Sequence, residues 1–178
     1  MRPDTEPEPP APSEPPEHRR YAAYLAALEA VTGADAAAGP TGGPDEADLV
    51  AHVLRDEDPV MAQSAVIRHV DRRAAALLTA PGFVTWCTAL TGAVAGRDFV
   101  LRRLGEWTLL RAITLGEGWT PEALATASDW CQRTAVSGRF PVSSSALSLL
   151  AEHGRTRRVR TAAARPAPAP PSAPAERG

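Results

Sequence analysis

Apolar positions along the middle of this chain recur with a period near 3.6, a spacing that predicts helices almost throughout. In the segment 17–32, Tyr21, Tyr24, Leu25 and Leu28 stand at i, i+3, i+4 and i+7 and make an amphipathic helix. Gly33 closes it, and the Ala/Gly/Pro stretch 33–44 reads as a flexible linker, leaving this helix free to dock on the rest or hang from it. Asp45 is placed to cap a helix reaching Leu54, with Asp48 in its first turn. Asp58-Pro59 joins an N-cap to a first-turn proline, and Val60, Ala65, Val66, Val70 and Leu77 carry that helix to about residue 78. Pro81 starts the next, with Phe83, Val84, Cys87 and Leu90 inward. Asp98 caps a helix in which Val100, Leu101, Leu104, Trp107, Leu110 and Ile113 hold the period to Gly116. Thr120-Pro121-Glu122 is another start. Ser143 opens a short helix through Leu147, Leu149 and Leu150 to Gly154, and residues 155–164 add a last turn or two. Nothing alternates with period two over a strand length, so the expected fold class is all-α.

One phrase occurs twice. Trp86-Cys87 precedes Ala93-Val94-x-Gly96-Arg97, and Trp130-Cys131 precedes Ala135-Val136-x-Gly138-Arg139. The Trp-Cys pairs lie 44 residues apart and the later halves 42 apart. A period near forty is expected of stacked helical pairs. Equivalence of the two phrases predicts that Trp86 and Trp130 occupy matching, buried helix faces.

The run Leu54-Arg55-Asp56-Glu57-Asp58-Pro59-Val60, followed by Ala65, resembles the inter-helix turn and second-helix start of a HEAT repeat. Ala146-Leu147 through Leu150-Ala151-Glu152-x-Gly154 to Arg158-Val159-Arg160-x-Ala162-Ala163 is similar to the closing pattern of that repeat. Asp58, Asp98 and Gly138 also fall 40 residues apart. The resemblance implies a HEAT-like stack of about three helical pairs over 45–164. The Trp-Cys phrase is no HEAT signature and the pairs are uneven in length, so an irregular helical bundle is the other architecture in view.

Composition changes the picture mainly at the ends. Residues 1–16 hold seven prolines and four acids, and 165–178 hold five prolines, with no aliphatic residue larger than alanine in either. Such segments cannot bury enough apolar surface to offset about 1–2 kcal/mol of backbone entropy per residue, and both are expected to be disordered tails. The net charge of −2 conceals a gradient: residues 1–58 carry 13 acids and 4 arginines, whereas 130–178 carry 2 acids and 8 arginines. There is no lysine or asparagine, a bias that resembles actinobacterial proteins from GC-rich genomes. Two cysteines beside tryptophans suit buried thiols in a reducing cytoplasm rather than a disulfide framework or zinc site. The chain shows no signal-peptide core and no apolar run of the 18 or so residues that span a bilayer, so no membrane partner is expected.

Catalytic patterns are missing: no phosphate-binding glycine loop, no nucleophile elbow, no HExxH pair. No catalytic residue, cofactor or metal is expected. Asp45-Glu46-Ala47-Asp48 reads as a helix start, and His52 and His69 as solvated or structural. Trp86, Trp107 and Trp130 are expected to fill seams between helices, and Trp119, in the Gly116–Thr120 turn, to be part-exposed and able to anchor a partner. Arg155, Arg157, Arg158 and Arg160, with Arg165 beyond, form an acid-free run around the apolar Val159. These arginines and Trp119 are the candidate partner-binding residues. The expected function is a non-enzymatic protein-interaction or adaptor module. A nucleic-acid-associated protein using the same arginines is the alternative. A third reading is an enzyme resembling the HEAT-like DNA glycosylases, which work through aromatic and acidic residues in a basic groove.

Overall fold

Asp58, Thr120, Ser128, Ser143 and Thr156 each open a helix by accepting main-chain N–H groups two or three residues ahead. A computed structural model describes residues 15–38 and 44–165. Among the described residues the chain forms nine helices and no strand: α1 Pro16–Ala38, α2 Pro44–Val53, α3 Pro59–Leu77, α4 Phe83–Ala93, α5 Asp98–Leu115, α6 Pro121–Thr126, α7 Asp129–Ala135, α8 Ser144–His153 and α9 Arg157–Ala163. Residues 1–14 and 166–178 of the expected tails and 39–43 of the expected linker lie outside the described residues, while Pro16 begins α1.

The all-α class stands, and several boundaries move. α1 runs through Gly33 to Ala38, because the alanines beyond the glycine are strong helix formers that outweigh one glycine penalty of about 1 kcal/mol. α2 begins at Pro44, which leaves Asp45 inside the first turn instead of at the cap. Pro81-Gly82 makes a turn and α4 starts at Phe83. Asp98 is the first residue of α5, and Arg97 holds its N-cap position. The segment opened by Pro121 breaks at Ala127-Ser128 into α6 and α7, since the Ser128 hydroxyl accepts from Cys131 N and starts a second helix.

The helices pack in two rows. α1 lies on α3, α3 on α5, α5 on α7 and α7 on α9; in the other row α2 lies on α4 and α6 on α8. Neighbours in sequence, such as α1 with α2 and α8 with α9, close the rows into hairpins. α1 is docked: Leu28 is wholly buried and the Tyr24 hydroxyl donates to Asp56 Oδ2 at 2.6 Å. Val50, Val53, Val66, Val70, Leu90, Val100, Leu104 and Leu110 fill the space between rows. Each large side chain buried there contributes about 1.5–3 kcal/mol.

Two indoles fasten successive helices of a row. Trp86 of α4 donates its N–H to Glu46 of α2, and Trp107 of α5 donates to Asp71 of α3, both at 2.8 Å. Both tryptophans are buried, whereas Trp130 is half-buried and meets Trp107 edge-on at a 5.4 Å centroid distance. The expected equivalence of Trp86 and Trp130 therefore fails. The later halves of the two phrases do correspond: Val94 and Val136 end their helices, and Gly96 and Gly138 follow in the left-handed region at φ 78° and 76°. Trp86 stands eight residues before Val94, but Trp130 only six before Val136. Two residues at about 100° each turn the second ring to the opposite face. α4 and α7 also belong to different rows.

Candidate functional site: an arginine-lined cleft between α7 and α9

The last two helices meet at Gly154, whose N–H bonds back to Leu150 O. A Cβ at this position would stand 2.5 Å from Leu150 O and 2.7 Å from Val159 Cγ1, so the corner admits only glycine without rearrangement. Gln132, fully buried on α7, fixes the corner from below. Its amide donates to Leu124 O and Ala125 O, and its Oε1 accepts Arg155 N at 2.9 Å. The Thr156 hydroxyl donates to Asp129 Oδ1 and accepts Val159 N, while Val159 seats its side chain in the core. Two polar ties, Gln132 to Arg155 and Asp129 to Thr156, and one apolar anchor thus set the facing sides of α7 and α9.

Between those sides runs an open cleft of about 870 Å³. α7 and its C-terminal turn supply Arg133, Val136 and Ser137; α9 and the residues after it supply Arg157, Arg158, Thr161, Ala162 and Arg165. The spacings are helical: 133, 136 and 137 on one wall, 157/158, 161/162 and 165 on the other. Neither an acid nor an aromatic ring lines it. Arg133 pairs with Asp129 one turn back at 3.2 Å. Among the described residues, Arg157, Arg158 and Arg165 have no acid within ion-pair distance.

Of the residues the sequence singled out, Arg157 and Arg158 stand in the cleft, and Arg155 and Arg160 do not. Arg160 donates instead to Gly154 O at 2.6 Å, ending α8, and the exposed Arg155 is held through its backbone. Trp119 lies in the turn containing Gly116 and Gly118, both at positive φ, and packs half-buried against the core away from the cleft. Arg133, Ser137 and Thr161 escaped the sequence reading. Their signal was the match of 133/136/137 with 157/161/165, which becomes meaningful only once α7 and α9 are known to be neighbours.

The other charged clusters are internal. Glu46, 1% exposed, takes hydrogen bonds from His69 Nε2 and Trp86 Nε1 at 2.8 Å each, with Arg73 Nε at 3.6 Å from its second oxygen. Burial pushes its carboxyl upward, but the His69 and Trp86 bonds and the nearby charges outweigh that and hold it below the usual range. Asp71 differs: burial dominates and raises it, despite bonds from Trp107 and Arg103. Arg103 continues to Glu106 and stacks over Trp130, 3.5 Å from the ring centroid. The Glu46 set is sealed between helices, whereas Asp71 keeps 30% of its side chain exposed and lines a shallow surface cleft with Ile67 and Phe99. Among the described residues no three His, Cys, Asp or Glu side chains cluster to hold a metal, and no helix is long and apolar enough to cross a membrane.

No protein-family profile, curated protein or solved structure matches this chain.

Proposed function

We propose that this chain is a non-enzymatic interaction module, a HEAT-like stack of helical pairs that holds an acidic partner protein in the α7/α9 cleft. The observation that carries this reading is an open cleft walled by four arginines, three of them without an acid partner among the described residues. Unpaired arginine forks on a rigid, capped frame are ready to take oxyanions, and binding them needs no catalytic group. The two-row order of helices supports the repeat reading, because stacked pairs expose extended binding surfaces along their length and at their ends. A partner-free ion-pair surplus also fits an adaptor better than an enzyme, whose site would need a nucleophile, acid or base among the lining residues.

Nucleic acid is the competing ligand. Single-strand binders add stacking rings to positive charge, and this cleft has none. The same lack of rings and acids speaks against a glycosylase.

Affinity capture from a nuclease-treated lysate of the source organism tests the reading, with wild type and an Arg157→Gln/Arg158→Gln/Arg165→Gln variant as baits. One protein retained near 1:1 by wild type at moderate salt and lost by the variant is expected. Capture seen only from a parallel untreated lysate, or capture that the variant retains in full, overturns it.

A further inference from the structure

We infer that the α7/α9 cleft recognises a phosphate monoester carried by a peptide, that is, a phosphorylated side chain of the partner. The inference rests on the interaction-module reading and narrows it to one ligand chemistry.

The charge balance of the folded residues points outward first. At the α1–α3 end four acids are paired internally: Glu29 with Arg72, Glu57 with Arg20, Glu46 with His69 and Arg73, and Asp56 with Tyr24 and Arg20. The basic end has no such compensation. Arg157, Arg158 and Arg165 stand on one side of α9 and the residues after it, facing Arg133, and among the described residues the only acid touching this set is Asp129. A net surplus near three positive charges is therefore concentrated on a cleft whose walls are helices of seven residues each.

One carboxylate is a poor match for that surplus. It brings a single negative charge and two oxygens, enough for one bidentate arginine fork. A phosphate monoester brings a charge of about −1.5 to −2 at pH 7 and three terminal oxygens, which two or three forks can share. The Thr161 hydroxyl, on the cleft wall one turn from both Arg157 and Arg165, makes no hydrogen bond within the described residues and is available to donate to the same group. Ser137 is not, since its hydroxyl already donates to Thr134 O at 2.7 Å.

Size and lining choose the carrier. The volume of about 870 Å³ exceeds what a lone phosphate fills and leaves room for flanking residues, for which Val136 and Ala162 offer an apolar floor. Walls of seven residues extend about 10 Å, long enough for one phosphorylated residue and its neighbours. No ring is present to stack a base.

The test is retention of three peptide pools by the immobilised full-length chain at 150 mM salt. Each pool has three randomised positions on either side of a fixed centre: phosphoserine, serine or glutamate. Retention of the phosphoserine pool at least tenfold above the other two is expected, with loss in Arg157→Gln/Arg158→Gln and preservation in Arg155→Gln, which lies outside the cleft. Thr161→Val should weaken it severalfold. Equal retention of the glutamate pool would overturn phosphate recognition while leaving an acidic protein partner standing. Failure of the phosphoserine pool overturns phosphate recognition, and the acidic-partner reading is then decided by the lysate capture. Phosphoserine retention that survives in Arg157→Gln/Arg158→Gln overturns the placement of the site in this cleft.

Discussion

The seam linking α2 to α5 and the end formed by α7 to α9 use the same residue, arginine, for opposite purposes. In the seam these arginines meet acids: Arg73 of α3 faces Glu46 of α2, and Arg103 of α5 faces Asp71 of α3 and pairs with Glu106 one turn along its own helix. Arg97 and Arg111 finish the job by donating to the carbonyls of Leu54 and of Leu78 and Ala80 at helix ends. Among the described residues of the C-terminal end, only Arg160 caps a carbonyl in this way and only Arg133 has an acid, and Arg155, Arg157, Arg158 and Arg165 are exposed. Arginine content alone carries no functional message. Its meaning is decided by what the neighbouring helix presents.

Glu46→Ala tests that contrast most severely. It leaves the Trp86 N–H, His69 and the Arg73 charge buried around an empty acceptor. Removing one partner of a buried charged set costs about 3–5 kcal/mol, measured as a fall in the urea midpoint at constant slope. Arg157→Gln/Arg158→Gln/Arg165→Gln should leave that midpoint unchanged, because exposed unpaired charges add little to stability. Equal losses from the two variants would abolish the distinction between seam and end.

Gly154→Ala probes the other side of the comparison. The added methyl meets Leu150 O and Val159 Cγ1 inside van der Waals distance, and overpacking of this kind costs about 1–3 kcal/mol. Binding to the cleft should fall with it, since the same corner aims α9. A variant as stable as wild type with binding intact would mean that the corner does not position the cleft.

Acid separates the two seam carboxylates. Glu46, held below its usual value, stabilises the fold above the unfolded carboxyl value of about 4.3 and loses that contribution as pH falls. Asp71, raised by burial, acts with the opposite sign: its contribution is full at low pH and declines as pH rises through its folded value. Melting temperatures between pH 3 and 6 should therefore fall less steeply with acid in Glu46→Gln than in wild type, and more steeply in Asp71→Asn. Parallel curves for all three proteins would show that neither carboxylate governs the acid limb.

These partners also mark the limit of what the sequence discloses. Caps such as Asp58, Thr120 and Ser143 act within four residues of themselves, so they were readable, and with them most helix starts. Glu46 looked like part of a polar helix start, although it shares a face with Val50 and Val53 at i, i+4 and i+7. An acid on an apolar stripe signals a buried partner, but the partners Trp86 and His69 lie 40 and 23 residues away. The Trp-Cys phrase misled because a two-residue change in spacing reverses a helix face while barely altering the written pattern. The arginine run pointed to the end of the chain where the cleft lies, and of its members Arg157 and Arg158 line it while Arg155 and Arg160 do not. Which of the arginines converge depends on α7 and α9 being neighbours, a relation that no local pattern encodes.

The thiols provide the finest measure of the same contrast. Cys131 on α7 is fully buried, and burial, with the Glu106 charge adding to it and Arg103 opposing it, pushes its thiol up to about 12. Cys87 on α4 is partly exposed, with Sγ 3.6 Å from Thr108 Oγ1. A maleimide at pH 7 should label Cys87 in the folded protein at once and reach Cys131 only through opening, because the thiolate is the reacting form. Helices of six to ten residues are marginal alone, and α6 to α9 are all of that length, whereas α3 and α5 have 19 and 18. The C-terminal end should therefore open on its own, with Cys131 labelling at urea concentrations below the global midpoint and with a shallower urea dependence. In Cys87→Ser, where Cys131 is the sole thiol, that early phase should persist unchanged. Labelling of Cys131 that coincides with global unfolding would mean that seam and end form one cooperative unit, and that the end is a differently charged part of the same rigid body.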